Sequence, residues 1–422
     1  MMFIHGLNYR ETLFLLVSFF FILYNAFPLL GDLMPVPPQF VCIFTTISLA
    51  LLYPFSLKHK AVISFFAFIL ILFVNGMMGR YVHINGLAND ALPLTWRLLI
   101  EIAWVLPALL IMSILSILNS PKLYKMIGYG SVIILTISFL FILPVLISSS
   151  NILREAMREE ELDFVKPIGL PDYTLMHAYT FMLPALCLFV KVNSGRKRIL
   201  MMCVIALFYY VILQTAVTTS ITLGAVVIIA AILYNRHNPL LTILSFLFLV
   251  ILFLFAYSSD LILKLVDGLM PYFEGTAVQF KLEDLHSSIL AGRIQGGSFE
   301  GREALHTISI NSFLANPFIG GGKAGGHTQV FDILGTVGII GFVPFAFILW
   351  YTFKNYFQLL ERNFVKIYLI ATFVVPFVYL YHKGIFGATG WLFMCVIAPC
   401  LIIATYCDYW DAESLETDET DS

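Results

Sequence analysis

Two arginines, three histidines, three lysines and four aspartates share one polar stretch of an otherwise apolar chain. Between about Ser258 and Asp332 lie Arg293, Arg302, His306, Ser309, Lys323, His327 and Asp332. A guanidinium offers fixed, paired donors that match phosphate oxygens, and it keeps its charge. A neutral histidine accepts a proton from a sugar hydroxyl near pH 7. Together they form a minimal kit for glycosyl transfer from a lipid diphosphate, in which cations hold the leaving group and a base activates the acceptor. Each residue also has a commoner role. An arginine here is more often a headgroup anchor or half of an ion pair, and a lone histidine is more often structural. Asp332 lies five residues after His327, on a different helix face, and its commoner role is to cap the following helix.

The stretch from Gly292 to Phe342 reads GRIQGGSFEGREALHTISINSFLANPFIGGGKAGGHTQVFDILGTVGIIGF. The pattern predicts a helix from Glu303 to about Ala315, stopped by Asn316-Pro317. On it Arg302, His306 and Ser309 share a face. A glycine-rich turn follows from Gly320 to Gly326, expected to bring His327 back over the membrane surface before the next span begins at about Ile333. Ala324 follows Lys323 where a P-loop needs Ser or Thr for magnesium, so this is not a P-loop. His286, His306 and His327 lack zinc-ligand spacing, and neither a metal site nor a cofactor is expected.

The elements that must position this stretch are membrane spans. The chain of 422 residues is 60% hydrophobic and only 12% charged, with mean hydropathy +0.90. Its apolar runs recur at the length a helix needs to cross a bilayer, and no alternating barrel pattern is present. About twelve spans are expected: Thr12–Leu30, Gln39–Ser56, Ala61–Met78, Arg97–Leu118, Met126–Ser149, Tyr173–Val192, Ile199–Leu213, Thr219–Tyr234, Leu240–Tyr257, Ile333–Phe353, Phe364–Tyr381 and Trp391–Cys407. The split between the seventh and eighth rests on the polar run Gln214–Ser220. The first reads as a retained span rather than a cleaved signal.

Basic residues of alternate loops (Lys58 and Lys60; Lys122 and Lys125; Arg196 to Arg198; Arg236; Lys354 and Arg362) put both termini in the cytoplasm. The opposite short loops hold little beyond Arg80, Arg97 and Lys383. Two long segments then face outward: an amphipathic loop, 151–172, carrying Arg154 and Arg158, and the large loop, 258–332. The acidic tail 408–422 reads as disordered and solvating. The six cysteines read as apolar fillers. Glu101 is an intramembrane acid, and Arg97 one turn earlier offers a local pair. Nothing suggests nucleic-acid binding.

The loop resembles the O-antigen polymerase and O-antigen ligase superfamily of bacterial envelope glycosyltransferases. The resemblance rests on Gly301-Arg302, on Asn316-Pro317-Phe318-Ile319-Gly320-Gly321-Gly322, on Gly325-Gly326-His327-Thr328 with Asp332, and on Gly335-Thr336-Val337-Gly338-Ile339-Ile340-Gly341. The Gly-Gly-His-Thr form is more similar to capsule and exopolysaccharide polymerases than to ligases.

This resemblance implies an all-α polytopic membrane protein, a GT-C-like, metal-independent glycosyltransferase with a large periplasmic loop before its last three spans. Its donor would be a glycan on a polyprenyl diphosphate at the outer face of the bacterial inner membrane. His327 would be the base, and Arg302 and Arg293 would hold the diphosphate. A flippase and a chain-length regulator would be its partners. The family often has Ser-Arg at the outer start of an earlier span, where this chain reads Thr218-Thr219-Ser220-Ile221. Another cation, Arg154, Arg158 or Lys323, would then have to serve. A ligase moving finished glycan to lipid A-core or protein would share the site. A lipid-linked oligosaccharide flippase is the non-enzymatic alternative.

Overall fold

Runs of apolar residues form the helices, and the polar residues between them set where the helices start and stop. The computed structural model describes residues 7–34, 36–80, 93–148, 169–170, 172–214, 218–234, 261–274, 279, 282–283, 286–287, 297–326, 328–382 and 387–420. The regular structure among them is helical throughout. In chain order the helices are α1 (Tyr9–Ala26), α2 (Pro28–Leu33), α3 (Pro38–Leu52), α4 (Lys60–Met77), α5 (Leu94–Leu118), α6 (Pro121–Ser148), α7 (Tyr173–Val192), α8 (Gly195–Gln214), α9 (Thr218–Leu233), α10 (Leu261–Leu269), α11 (Gly297–Ala315), α12 (Gln329–Phe357), α13 (Asn363–His382) and α14 (Gly387–Leu392). A π-helical turn, Phe393–Ile397, then leads into α15 (Ala398–Thr420).

Local chemistry fixes several ends. Asn8 and Glu11 exchange side-chain and backbone bonds of 2.8 and 2.9 Å in a capping box at the start of α1. Asp172 accepts the Leu175 N–H at 2.8 Å and starts α7. Asn119, in the left-handed region at φ 42°, ends α5.

Eight helices among the described residues are long and apolar enough to cross a membrane, so this is a multi-pass, all-helical membrane protein. Three shorter or more polar helices, α1, α3 and α9, coincide with expected spans. The expected span Leu240–Tyr257 lies outside the described residues. The split at Gln214 holds, with α8 ending there and α9 starting at Thr218.

Burial separates centre from rim. The spanning windows of α5, α7 and α14–α15 are 83%, 78% and 89% buried, whereas those of α4, α6, α8, α12 and α13 are 28% to 44% buried. The first group is therefore the core, and the second presents side chains such as Leu70, Ile133, Leu200 and Phe347 outward. Glu101 is buried on α5. Cys42, Cys187, Cys395 and Cys400 are free and buried, as apolar fillers would be.

Three expectations are corrected. The helix after the glycine segment starts at Gln329 rather than Ile333, so Asp332 belongs to its first turn and not to a loop. The helix before it starts at Gly297 rather than Glu303. The acidic tail continues α15 as helix to Thr420, because Ala412, Glu413, Leu415 and Glu416 are good helix formers. Its first residues are also anchored: Asp408 pairs with Lys125 at 2.7 Å and accepts the Tyr129 hydroxyl at 2.5 Å.

In the core α6 and α15 approach closely. A Cβ on Gly128 would lie 2.9 Å from the Leu401 Cα and N atoms. Gly128→Val is expected to lower stability by about 1–3 kcal/mol through overpacking. Thermal unfolding in detergent measures it, and an unchanged midpoint would show that the two backbones are not in contact.

Candidate functional site

The candidate site is built around a break in α12. Gly338 has φ 61° and ψ −160°, a conformation available essentially to glycine alone. In an unbroken helix the Ile339 and Ile340 amides would bond the carbonyls of Gly335 and Thr336. Here they donate to Pro317 O at 2.9 Å and Phe318 O at 3.1 Å. The two released carbonyls find new donors. Gly335 O accepts Gly322 N at 3.1 Å and Ser312 Oγ at 2.8 Å, and Thr336 O accepts Asn75 Nδ2 of α4 at 2.9 Å. The break thus leaves all four backbone groups paired, as an apolar setting requires.

Length assigns the two legs. From Ile339 to Phe357 the helix would rise about 28 Å, close to the ~30 Å hydrocarbon core. If that leg makes the crossing, Gln329–Val337 would lie toward the membrane edge. Asn75, near the end of α4 opposite Lys58 and Lys60, meets this leg at Thr336 and marks the same edge.

The glycines between α11 and α12 have a steric cause. Ser309 meets Asp332, and three residues on Ser312 meets Gly335, so α11 and the first leg of α12 run side by side in the same direction. The connection must therefore run back between them. A Cβ on Gly321 would sit 2.6 Å from Ser312 O, on Gly325 2.2 Å from Leu305 O, and on Gly320 2.5 Å from the Thr336 carbonyl carbon. The expected tight path is an irregular return segment, a strand that forms no sheet, packed between two helices.

Asp332 holds that strand. It is buried. Its Oδ1 accepts Ser309 Oγ at 2.6 Å, Gly325 N at 3.1 Å and Gly326 N at 3.3 Å, and its Oδ2 accepts Thr328 N at 3.0 Å. Several donors to the ionised form compensate the burial of a carboxylate. Asp332 is not the N-cap the sequence suggested: Thr328 takes that position, and Asp332, four residues on, accepts the N-cap's N–H from within the first turn. Asp332 also fixes the backbone on both sides of position 327. Ser309 donates to Asp332 and accepts Gly325 N at 2.8 Å, and Ser312 accepts Lys323 N at 3.0 Å.

Of the other predicted residues, Lys323 is exposed on the return strand. Arg302 lies on α11, but its side chain is outside the described residues. His327, Arg293, Arg154 and Arg158 also lie outside them. His306 is half-buried with its ring 5.7 Å from that of Phe331, which lies 5.2 Å from that of Tyr381 on α13. Among the described residues no cluster of His, Cys, Asp or Glu could hold a metal ion.

Sequence reasoning missed Arg80 and Asn75. Arg80 Nη1 donates to Ile319 O at 3.3 Å and Gly320 O at 3.1 Å. Its rarity as an outer-loop cation was a signal; its partner 240 positions away was not visible. Ser312 was missed too, although it follows Ser309 by one helical turn.

No family model matches the chain, and no curated protein matches it. Function must be argued from the site.

Asp332→Ala would remove an acceptor shared by four donors, of which Gly325 N keeps Ser309 Oγ, and is expected to cost at least about 2 kcal/mol. Chemical or thermal unfolding reads the loss, and a wild-type midpoint would remove Asp332 as the organiser. Gly338→Ala is expected to cost about 1–3 kcal/mol from backbone strain alone, with more from a Cβ placed 2.4 Å from Phe318 O. If that variant melts like wild type, α12 is not broken at Gly338.

Proposed function

We propose that this protein is a glycosyltransferase that joins polyprenyl-diphosphate-linked oligosaccharide repeats into a surface polysaccharide, at the outer face of a bacterial inner membrane. The observation that carries the reading is the pairing of a braced, cation-bearing strand at the membrane edge with an apolar groove beside it. The groove, of about 470 Å³, lies between α12 and α13. Val330, Phe342, Phe353, Phe373, Phe377 and Leu380 are among its lining residues. Val330 is two residues from Asp332, so the groove reaches the site. An amphiphile with an isoprenoid tail and a diphosphate head fits such a pairing.

In the proposed reaction the acceptor sugar's hydroxyl gives its proton to His327 and its oxygen attacks the donor's anomeric carbon. The bond from that carbon to the diphosphate oxygen breaks. The polyprenyl diphosphate leaves with the electron pair, and Arg302 and Arg293 meet its developing charge, where stabilisation counts most for rate. Asp332 acts as a positioning residue by holding the backbone on either side of His327.

The depth of polar groups favours an enzyme over a transporter. Among the described residues the buried Asp, Glu and His side chains are Glu101, His177 and Asp332. They lie in the N-terminal halves of α5, α7 and α12. A transporter would place such groups at the midplane.

Deleting the gene is expected to abolish long glycan chains while single repeats persist on the carrier or at the surface. Long chains accumulating on the carrier would instead make the protein a ligase, and an unchanged profile would leave transport. His327→Ala should eliminate chain growth with normal membrane insertion, as read by gel profiles and mass spectrometry. Normal polymerisation by that variant would remove His327 as the base.

A further inference from the structure

Arg80 sits three residues beyond the end of α4, and one edge of its guanidinium is already committed. Nη1 donates to the carbonyls of Ile319 and Gly320 at 3.3 and 3.1 Å. Its Cβ and Cγ lie 3.0 Å from where a Cβ on Gly322 would be, so the side chain runs along the return strand. Nε and Nη2 have no protein partner, and no carboxylate pairs with the charge, among the described residues. Lys323, the residue after Gly322, is exposed and likewise has no acidic partner among them.

A guanidinium held by one edge is pre-oriented, so little rotamer entropy is lost when its other edge binds. The position lies at the membrane edge defined by Asn75 and the break in α12, where lipid phosphates lie.

We propose that Arg80, assisted by Lys323, is a binding residue for the diphosphate of the lipid-linked donor. It would fill the role for which the arginine expected near Ile221 is missing. This rests on the glycosyltransferase reading and adds to it a cation supplied by α4, outside the polar loop. Nε and Nη2 match two oxygens of one phosphate, and the Lys323 charge is available for the second, which favours a diphosphate over a monophosphate.

The test is binding of undecaprenyl diphosphate, undecaprenyl monophosphate and phosphatidylglycerol to the full-length protein in phosphatidylcholine nanodiscs, by native mass spectrometry. The wild type should prefer the diphosphate. Arg80→Gln should weaken diphosphate binding about tenfold while leaving phosphatidylglycerol binding unchanged. Arg80→Lys, which keeps the charge without the fork, should fall between them and lose the preference for diphosphate over monophosphate. A purely structural clamp would change the melting temperature without changing that preference, which guards against reading misfolding as lost binding. Equal diphosphate affinity in wild type and Arg80→Gln would overturn the role of Arg80 and leave the glycosyltransferase reading standing. Equal losses for diphosphate and phosphatidylglycerol would also overturn it, making Arg80 a general headgroup anchor. A wild type that does not bind the diphosphate would overturn both.

Discussion

The architecture of the site depends on an exchange of backbone partners at Gly338. Breaking a helix beside the hydrocarbon frees two amides and two carbonyls, each of which would cost several kcal/mol if left dry. The segment from Pro317 to Gly322 supplies acceptors for the first pair and a donor for one of the second, and Asn75 supplies the last donor. The break and the strand therefore require one another. Without the strand, continuing the helix would be the cheaper state; without the break, the strand's carbonyls at Pro317 and Phe318 would have no donors from α12. This mutual dependence locks α11, the strand, both legs of α12 and the end of α4 into one unit.

A second constraint is electrostatic. The only carboxylate buried in this unit among the described residues, Asp332, is saturated by hydroxyl and amide donors and faces no cation. Among the described residues Arg80 and Lys323 then have no acidic partner. Had Asp332 paired with Arg80, the same residues would make a closed ion pair. The acid thus lies inside the fold and these two cations on its rim, where positive charge suits an anionic headgroup.

Much of this was legible in the sequence, though unevenly. Span positions followed from the length of apolar runs, and the end of α11 followed from Asn316-Pro317, since proline disfavours helical geometry in the residue before it. That Asp332 serves the start of the following helix was legible, but not that Thr328 is its N-cap. The break was not legible. Gly335, Gly338 and Gly341 recur every third residue, and each is compatible with a kink; only the approach of Phe318 and Gly320, both within 2.5 Å of a Cβ built on Gly338, selects the middle one. The parallel run of α11 beside α12 was hidden for a similar reason. A glycine run reads equally as a flexible turn or as a strand too tightly packed for side chains, and only tertiary contacts separate these. Arg80 and Asn75 were illegible as site residues because their partners lie about 240 to 260 positions away. The helical tail was misread because its acidic composition outweighed its helix-forming residues and its anchor at Lys125.

The two legs of α12 also join the two halves of an amphiphile's binding problem. The first leg carries Asp332 and braces the strand beside the cations. The second packs against α4 on one side, through Phe345 and Phe68 with rings 5.5 Å apart, and lines the apolar groove with α13 on another. A lipid-linked donor seated there would have its diphosphate and its tail read by one continuous chain. The glycine between the legs then sets the geometry of headgroup relative to tail, which a pocket assembled from separate loops would have to fix twice. On the proposed reading, that is the physical reason for a break within a spanning helix rather than a simple end: the helix must stop crossing the membrane without ceasing to hold the substrate.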